Sequence, residues 1–159
     1  MAKVVMICGK ISCGKSTYAE QMCIKNNAVL LSVDEIMLAL FDQNAGDKHD
    51  EYVKRVKKFL FNKSIGLIKI GIDVILDWGF WTKCDRKFAR EFYRTHDIKC
   101  ELHYIDIDDE LWKLRLNKRN NLILSGKTDS YFVDDNLAKK FNSIFEIPDR
   151  DEIDLWVRF

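Results

Sequence analysis

The chain of 159 residues sets 26 Lys and Arg against 25 Asp and Glu, a formal net charge of +1, and is 47% hydrophobic. That content buries a proper core and excludes a disordered chain, and the length fits one domain over residues 1–159. The lack of a basic field disfavours a protein that coats a nucleic-acid duplex, leaves room for a local basic groove, and favours a small-molecule partner.

The first predicted element is the apolar run Val4-Val5-Met6-Ile7-Cys8, which has the length of a buried strand. It leads directly into Gly9-Lys10-Ile11-Ser12-Cys13-Gly14-Lys15-Ser16, which reads G-x-x-x-x-G-K-S, and then into a helical pattern carrying Tyr18, Ala19, Met22 and Cys23. Strand, loop and helix in that order define a phosphate-binding loop. Gly9 and Gly14 permit backbone angles that turn successive N–H groups inward on a β-phosphate. Lys15 brings a point charge to the β- and γ-phosphates, and the Ser16 hydroxyl can reach Mg²⁺. A helix beginning near Lys15 also aims its positive end at the anion. The nucleotide-binding set is therefore Gly9, Lys10, Ile11, Ser12, Cys13, Gly14, Lys15, Ser16 and Thr17.

Ala28 to Leu31 predicts a second strand, ending at Ser32-Val33-Asp34-Glu35. This tetrad has two compatible readings. Ser32 and Glu35 form a capping box for a helix over Ile36 to Phe41, in which Asp34 is a solvated first-turn carboxylate. Alternatively Asp34 is catalytic, standing where a parallel strand delivers side chains to a ligand crevice. A polar loop over Asp42 to Lys48 precedes a long helix running to about Ile70, with Val53, Val56, Leu60 and Leu67 on its inner face. Lys54, Arg55, Lys57, Lys58 and Lys63 read either as its solvated face or as a patch that attracts substrate.

Ile72 to Asp77 predicts a central strand that ends in a carboxylate. Such a carboxylate opposite a phosphate loop holds Mg²⁺ or its waters, so Ser16 and Asp77 are the candidate metal ligands. Trp78-Gly79-Phe80-Trp81 follows, and its aromatic residues can line a pocket or pack beneath the next helix. That helix opens at Thr82 and runs to about Thr95, with Arg86 and Arg90 placed either for an anionic ligand or for surface ion pairs.

A fourth strand over Leu102 to Ile107 leads into a helix from Asp109 to Arg119 with Asp108 as its cap. Acidic residues at its start and basic ones at its end suit the helix dipole. Arg115 and Arg119 also share a face, and arginines so placed neutralise charge on a migrating phosphoryl group. Asn120 to Tyr131 is polar, and Ser125, Gly126 and Asp129 suggest a mobile flap. A last helix over about Val133 to Phe145 stops before Pro148, and Leu155 to Phe159 alternates as a short terminal strand. Cys8, Cys13, Cys23, Cys84 and Cys100 form neither a C-x-x-C pair nor an even set, which reads as reduced thiols in a cytoplasmic chain. No apolar run approaches the ~20 residues of a membrane span.

The motifs G-K-I-S-C-G-K-S, S-V-D-E, L-D-W-G-F-W, W-K-L-R-L-N-K-R-N and F-E-I-P, in that order, span nearly the whole chain. With them the sequence resembles the small P-loop kinase-like ATP-binding proteins of bacteria, of the AAA-domain ATPase type, and at longer range is similar to chloramphenicol phosphotransferase and zeta toxins. The resemblance implies a three-layer α/β/α fold with a five-stranded parallel sheet of order 2-3-1-4-5. It also implies an adenylate-kinase-like lid over about residues 115–131 and transfer of the γ-phosphate of ATP to a hydroxyl. Carried over to this chain, Asp34 is the candidate base, Asp77 resembles the carboxylate at the end of the third strand, Arg115 and Arg119 look like lid arginines, and Lys15 completes the catalytic set. Cys13 departs from the Gly or Ser usual in such a loop, which raises the question of redox sensitivity.

The leading expectation is thus a Mg²⁺- and ATP-dependent kinase acting on a small hydroxyl compound such as a nucleoside, sugar or antibiotic. Its rivals are an ATP-driven switch or ATPase without an acceptor, and a kinase for the 5′-hydroxyl of a nucleic acid. Asp34, the aromatic cluster and the arginine pair favour the first, because a switch needs no base facing an acceptor.

Overall fold

The computed structural model describes residues 1–128 and 130–159; Asp129, one of the residues behind the expected flap, lies outside them. The described elements follow one another as β1 (Val4–Cys8), α1 (Lys15–Asn26), β2 (Val29–Ser32), α2 (Val33–Phe41) and α3 (His49–Lys69). There follow β3 (Val74–Gly79), α4 (Lys83–Arg94), β4 (Cys100–Asp106), α5 (Asp109–Leu124), α6 (Asp135–Ile144) and β5 (Leu155–Arg158). All five strands are parallel, in the order 2-3-1-4-5.

Alternation along the strands divides the core between the two faces of the sheet. Val4, Met6 and Cys8 of β1, with Val74, Leu76, Leu102 and Tyr104, pack against Phe61 of α3 and Ala89 and Tyr93 of α4. Val5, Ile7, Ile75 and Ile105 face the other way, onto Ala19 of α1, Trp112 and Leu116 of α5, and Ala138 of α6. A strand covered on both faces reads as a continuous apolar run, which is why β1 was legible without alternation. The connections from β1 to β2 and from β3 to β4 leave toward opposite edges of the sheet, so the loops diverge at the carboxyl end of β1 and open a crevice there.

Besides β3 and β4, which run two residues past the expected end and start two before the expected beginning, two helices exceed their expected bounds. α2 starts at Val33, three residues before Ile36, because the Ser32 hydroxyl accepts the Glu35 amide and β2 passes straight into the helix. α5 continues beyond Arg119 to Leu124, so the first part of the expected flap, Asn120 to Leu124, is helical. It ends where Gly126 takes a left-handed φ of 68°, the Lys127 amide donates to the Leu122 carbonyl and the Gly126 amide to that of Ile123. Within this helix the Asn120 side chain accepts the Val133 amide and donates to the Val133 carbonyl.

A polar network ties α1 to the sheet. The buried His103 of β4 shares a 2.9 Å hydrogen bond with the Tyr18 hydroxyl, and its other ring nitrogen lies 3.4 Å from Glu101. Glu101 also accepts from Lys3 and Lys99 at 2.7 Å each. Desolvation would raise the Glu101 pKa, but these hydrogen bonds prevail and bring it down to about 2. A carboxyl depressed on folding adds stability above its unfolded pKa and loses it as pH falls toward the folded value. Glu101→Gln should therefore cost about 1–2 kcal/mol of unfolding free energy at neutral pH, and the gap between variant and parent should close as pH falls toward 2. Denaturant titrations at several pH values check this, and a gap independent of pH would refute it.

Candidate active site

The loop between β1 and α1 is shaped by close backbone approaches. Gly14 has a φ of 104° and Ser12 one of 58°, two left-handed residues two positions apart. A Cβ on Gly9 would stand 2.6 Å from Cys13 Sγ and 2.9 Å from the Ile105 carbonyl, so only glycine fits where the loop leaves β1. The Lys15 ammonium folds back over the loop and donates to the carbonyls of Lys10 at 2.7 Å and Gly9 at 3.1 Å. Ser16 and Thr17 are exposed to the crevice. α1 has no acidic residue in its first turn, so its positive end is not neutralised from within.

One face of α5 holds this loop in place. Lys10 donates to Asp109 at 2.9 Å, and the Trp112 indole N–H donates to the Ile11 carbonyl at 2.7 Å. Arg115 donates to the Cys13 carbonyl at 2.8 Å, and Arg119 to the Ser12 hydroxyl at 3.1 Å. The spacing of 109, 112, 115 and 119 is that of a single helical stripe. The two expected arginines thus both reach the loop but part company. Arg115 lies at its outer rim, stacked 4.7 Å over the Phe159 ring and 2.9 Å from where a Cβ on Gly14 would be. Arg119 also donates to the Tyr131 carbonyl at 3.2 Å, and its buried Nε finds no acceptor among the described residues.

Across the loop stand the two carboxylates. β3 carries one extra residue against β1 between the pairs Met6–Leu76 and Cys8–Gly79, a bulge at Asp77 and Trp78. Bulges re-aim side chains beside sites, and here Asp77 accepts the Ser16 hydroxyl at 2.9 Å. Asp77 also pairs in register with Ser32, and Asp34 follows two residues later in the first turn of α2. Asp34 is solvent-exposed at the start of α2. Desolvation and the neighbouring Asp77 raise its pKa, against the opposing pull of Lys15, Arg119 and His49. Arg119 in turn is lowered by desolvation and partly restored by Asp34.

An orphaned Arg119 donor, a loop that only glycine can shape and an exposed Ser16 and Thr17 fit a polyphosphate. The oxygen donors of Ser16 and Asp77 suit Mg²⁺. No group of three or more His, Cys, Asp or Glu suited to a metal occurs among the described residues, so phosphate oxygens and water would complete such a site.

Other candidate residues fall elsewhere. Arg86 is buried, paired with Glu152 at 3.0 Å, and donates to the carbonyls of Phe80 and Glu146. Arg90 pairs with Asp154, Arg94 with Glu91 and Lys83 with Asp149. A concavity of about 450 Å³ runs along α4 among these residues, away from the phosphate loop, and its cations are largely neutralised. Phe80 is buried core, held at a φ of 44° with its carbonyl bound by Arg86, while Trp78 stays half-buried. Lys54, Arg55, Lys58 and Lys63 are solvent-exposed on α3. Cys13, the departure in the loop, points into the core with no exposure, and burial raises its pKa. Asp109 and Trp112 escaped the sequence reading, because nothing local marks a residue that holds a loop about a hundred positions away.

A parallel sheet of order 2-3-1-4-5 with a phosphate loop after its central strand is the fold of P-loop kinases. The chain belongs to the AAA-domain family, whose model matches residues 4–141. It is similar in structure to a sugar kinase from Janibacter sp. HTCC2649, with a TM-score of 0.67 and 16% identity over 99% of this chain and 86% of that one. It is similar also to the APS kinase of Mycobacterium tuberculosis solved with AMPPNP and APS, with a TM-score of 0.66 and 17% identity over 99% of this chain and 88% of that one. A gluconokinase from Sinorhizobium meliloti 1021 matches at a TM-score of 0.64 and 12% identity, over 98% of this chain and 81% of that one. At such identities the likeness is one of fold. No curated protein matches the sequence. Among the described residues no helix is long and apolar enough to cross a membrane.

The burial of Cys13 gives a direct test. A thiol reagent applied to the native protein should modify the exposed Cys84 first and leave Cys8 and Cys13 untouched until the chain is unfolded. Rapid native labelling of Cys13, read by peptide mass, would contradict its placement.

Proposed function

We propose that this protein is a Mg²⁺-dependent kinase that moves the γ-phosphoryl group of ATP to a hydroxyl of a small molecule. One observation supports the reading: Asp34, two residues beyond the register partner of Asp77, is solvent-exposed and within electrostatic reach of Lys15 and Arg119. A switch that transfers nothing needs no base facing an acceptor, which favours a phosphotransferase. Mg²⁺ held by Ser16 and Asp77 would supply neutralisation of charge on the transferring group.

The loop amides and Lys15 bind and orient the phosphates. The acceptor oxygen forms a bond to the γ-phosphorus, the bond from that phosphorus to the β–γ bridging oxygen breaks with its electron pair leaving on ADP, and the acceptor proton passes to Asp34. Arg119 is the better placed of the two arginines for charge on the migrating group, since its side chain acts on Asp34 and its Nε has no acceptor among the described residues. Arg115, at the rim beside Gly14, positions the loop. The five free cysteines support a cytoplasmic setting.

A base works only when deprotonated, so a raised Asp34 pKa moves the acid limb of the pH–rate profile above the ordinary carboxylate range. Asp34→Asn should lower acceptor-dependent ADP release by roughly 10²-fold or more, abolish that limb and leave ATP affinity nearly unchanged. Transfer at the parent rate, or loss of ATP binding, would leave Asp34 as a helix-start residue only.

A further inference from the structure

One stretch of the chain stands apart in charge. From Tyr52 to Ile72 it carries Lys54, Arg55, Lys57, Lys58, Lys63 and Lys69 and no acidic residue. Nearly all of it lies in α3, whose two acids, Asp50 and Glu51, stand in the first turn against His49 and Arg55. The helix buries Leu60, Phe61 and Ser64 and leaves Lys54, Lys58, Lys63 and Lys69 in solvent. Among the described residues, Arg55 is the one cation of this stretch held in an ion pair.

α4 lies alongside, with Phe88 edge-on to Phe61 of α3 at 5.6 Å. Its arginines are committed: Arg86 to Glu152, Arg90 to Asp154 and Arg94 to Glu91. Lys87, next to Phe88, is exposed. Two aromatic rings thus stand out among lysines, Phe59 at 61% exposure beside Lys58, and Phe88 at 59%.

The kind of cation selects the partner. Lysine is a flexible, strongly hydrated point charge that suits a diffuse array of anions, whereas the arginine fork specifies single phosphates and carboxylates. Protein interfaces are depleted in lysine, and base edges are read by paired donors that the committed arginines do not offer. A bilayer surface of anionic lipids attracts lysines from within a Debye length and accepts exposed phenylalanine rings at headgroup level. Lys54 to Lys69 extend over about 22 Å of helix, a span for a surface rather than for one small anion.

We propose that the outer face of α3, with Lys87 and Phe88 of α4 beside it, docks on an anionic lipid bilayer. The lysines lie among the headgroups, and Phe59 and Phe88 enter the interface. This inference stands apart from the kinase reading.

The test is flotation of the whole protein with vesicles of phosphatidylcholine alone and with vesicles holding about a third phosphatidylserine. A single-stranded oligouridine, measured by filter retention, is the competing probe. The protein should float with the serine-lipid vesicles only, and molar salt should release it, since the Debye length is then about 3 Å. A lysine at such a surface is worth about fivefold in partitioning, so Lys54→Gln, Lys58→Gln and Lys63→Gln together should weaken flotation about a hundredfold. Phe59→Ala, made separately, should weaken it about threefold or more. These side chains are exposed, so both variants should keep the parent's melting temperature. Equal flotation with both vesicles, no flotation with either, or a lysine variant that floats like the parent would overturn the proposal. Oligouridine retention without flotation would assign the lysines to nucleic acid and overturn it too.

Discussion

The site depends on the grip of one face of α5 upon the phosphate loop. A loop that turns its amides inward exposes its carbonyls on the outside, and unpaired carbonyls near the core are costly. Trp112 and Arg115 satisfy those of Ile11 and Cys13, and Asp109 and Arg119 hold Lys10 and Ser12 from the same stripe. The loop therefore keeps its left-handed turns at Ser12 and Gly14 before any ligand arrives. Preorganised donors contribute more to anion binding than donors that must first be gathered.

Around this fixed loop the crevice gathers charges of both signs. Asp34 and Asp77 come close because Ser32 and Asp77 are register partners and α2 begins without a linker. Their mutual repulsion is tempered by Lys15 and Arg119, and the result is a carboxylate with a raised pKa. Such an arrangement is poor for stability, which marks a candidate functional site. Elsewhere the same kinds of residue act as struts: Arg86 binds Glu152 and the carbonyls of the turn after β3, and Glu101 gathers Lys3, Lys99 and His103 beneath α1.

Much of this was legible in the sequence because its signals are local. The glycine loop, the apolar strand before it, the cap at Ser32 and the carboxylate near the end of β3 each lie within a few residues of what they specify. Their assembly into a sheet of order 2-3-1-4-5 came from resemblance to a family rather than from spacing. What escaped depends on contacts far apart in the chain. Nothing local marks Trp112 as the donor to the Ile11 carbonyl, or Asn120 as the clasp on Val133. Arg86 and Arg90 offered two readings, and only the return of the chain near Glu152 and Asp154 decides between them. The direction of the Cys13 side chain follows from the left-handed turn at Ser12, which a motif does not state.

The account stands on the loop as a site for a Mg²⁺-bound nucleoside triphosphate, and Lys15 is its most direct probe. The Lys15 side chain lies partly open over the loop and touches only backbone carbonyls, so its removal takes little from the core. Calorimetric titration of Mg-ATP into the parent and into Lys15→Ala, with thermal unfolding of both, measures the claim. The account predicts affinity weaker by roughly tenfold or more in the variant at a nearly unchanged melting temperature. Equal affinity in the two proteins would contradict it.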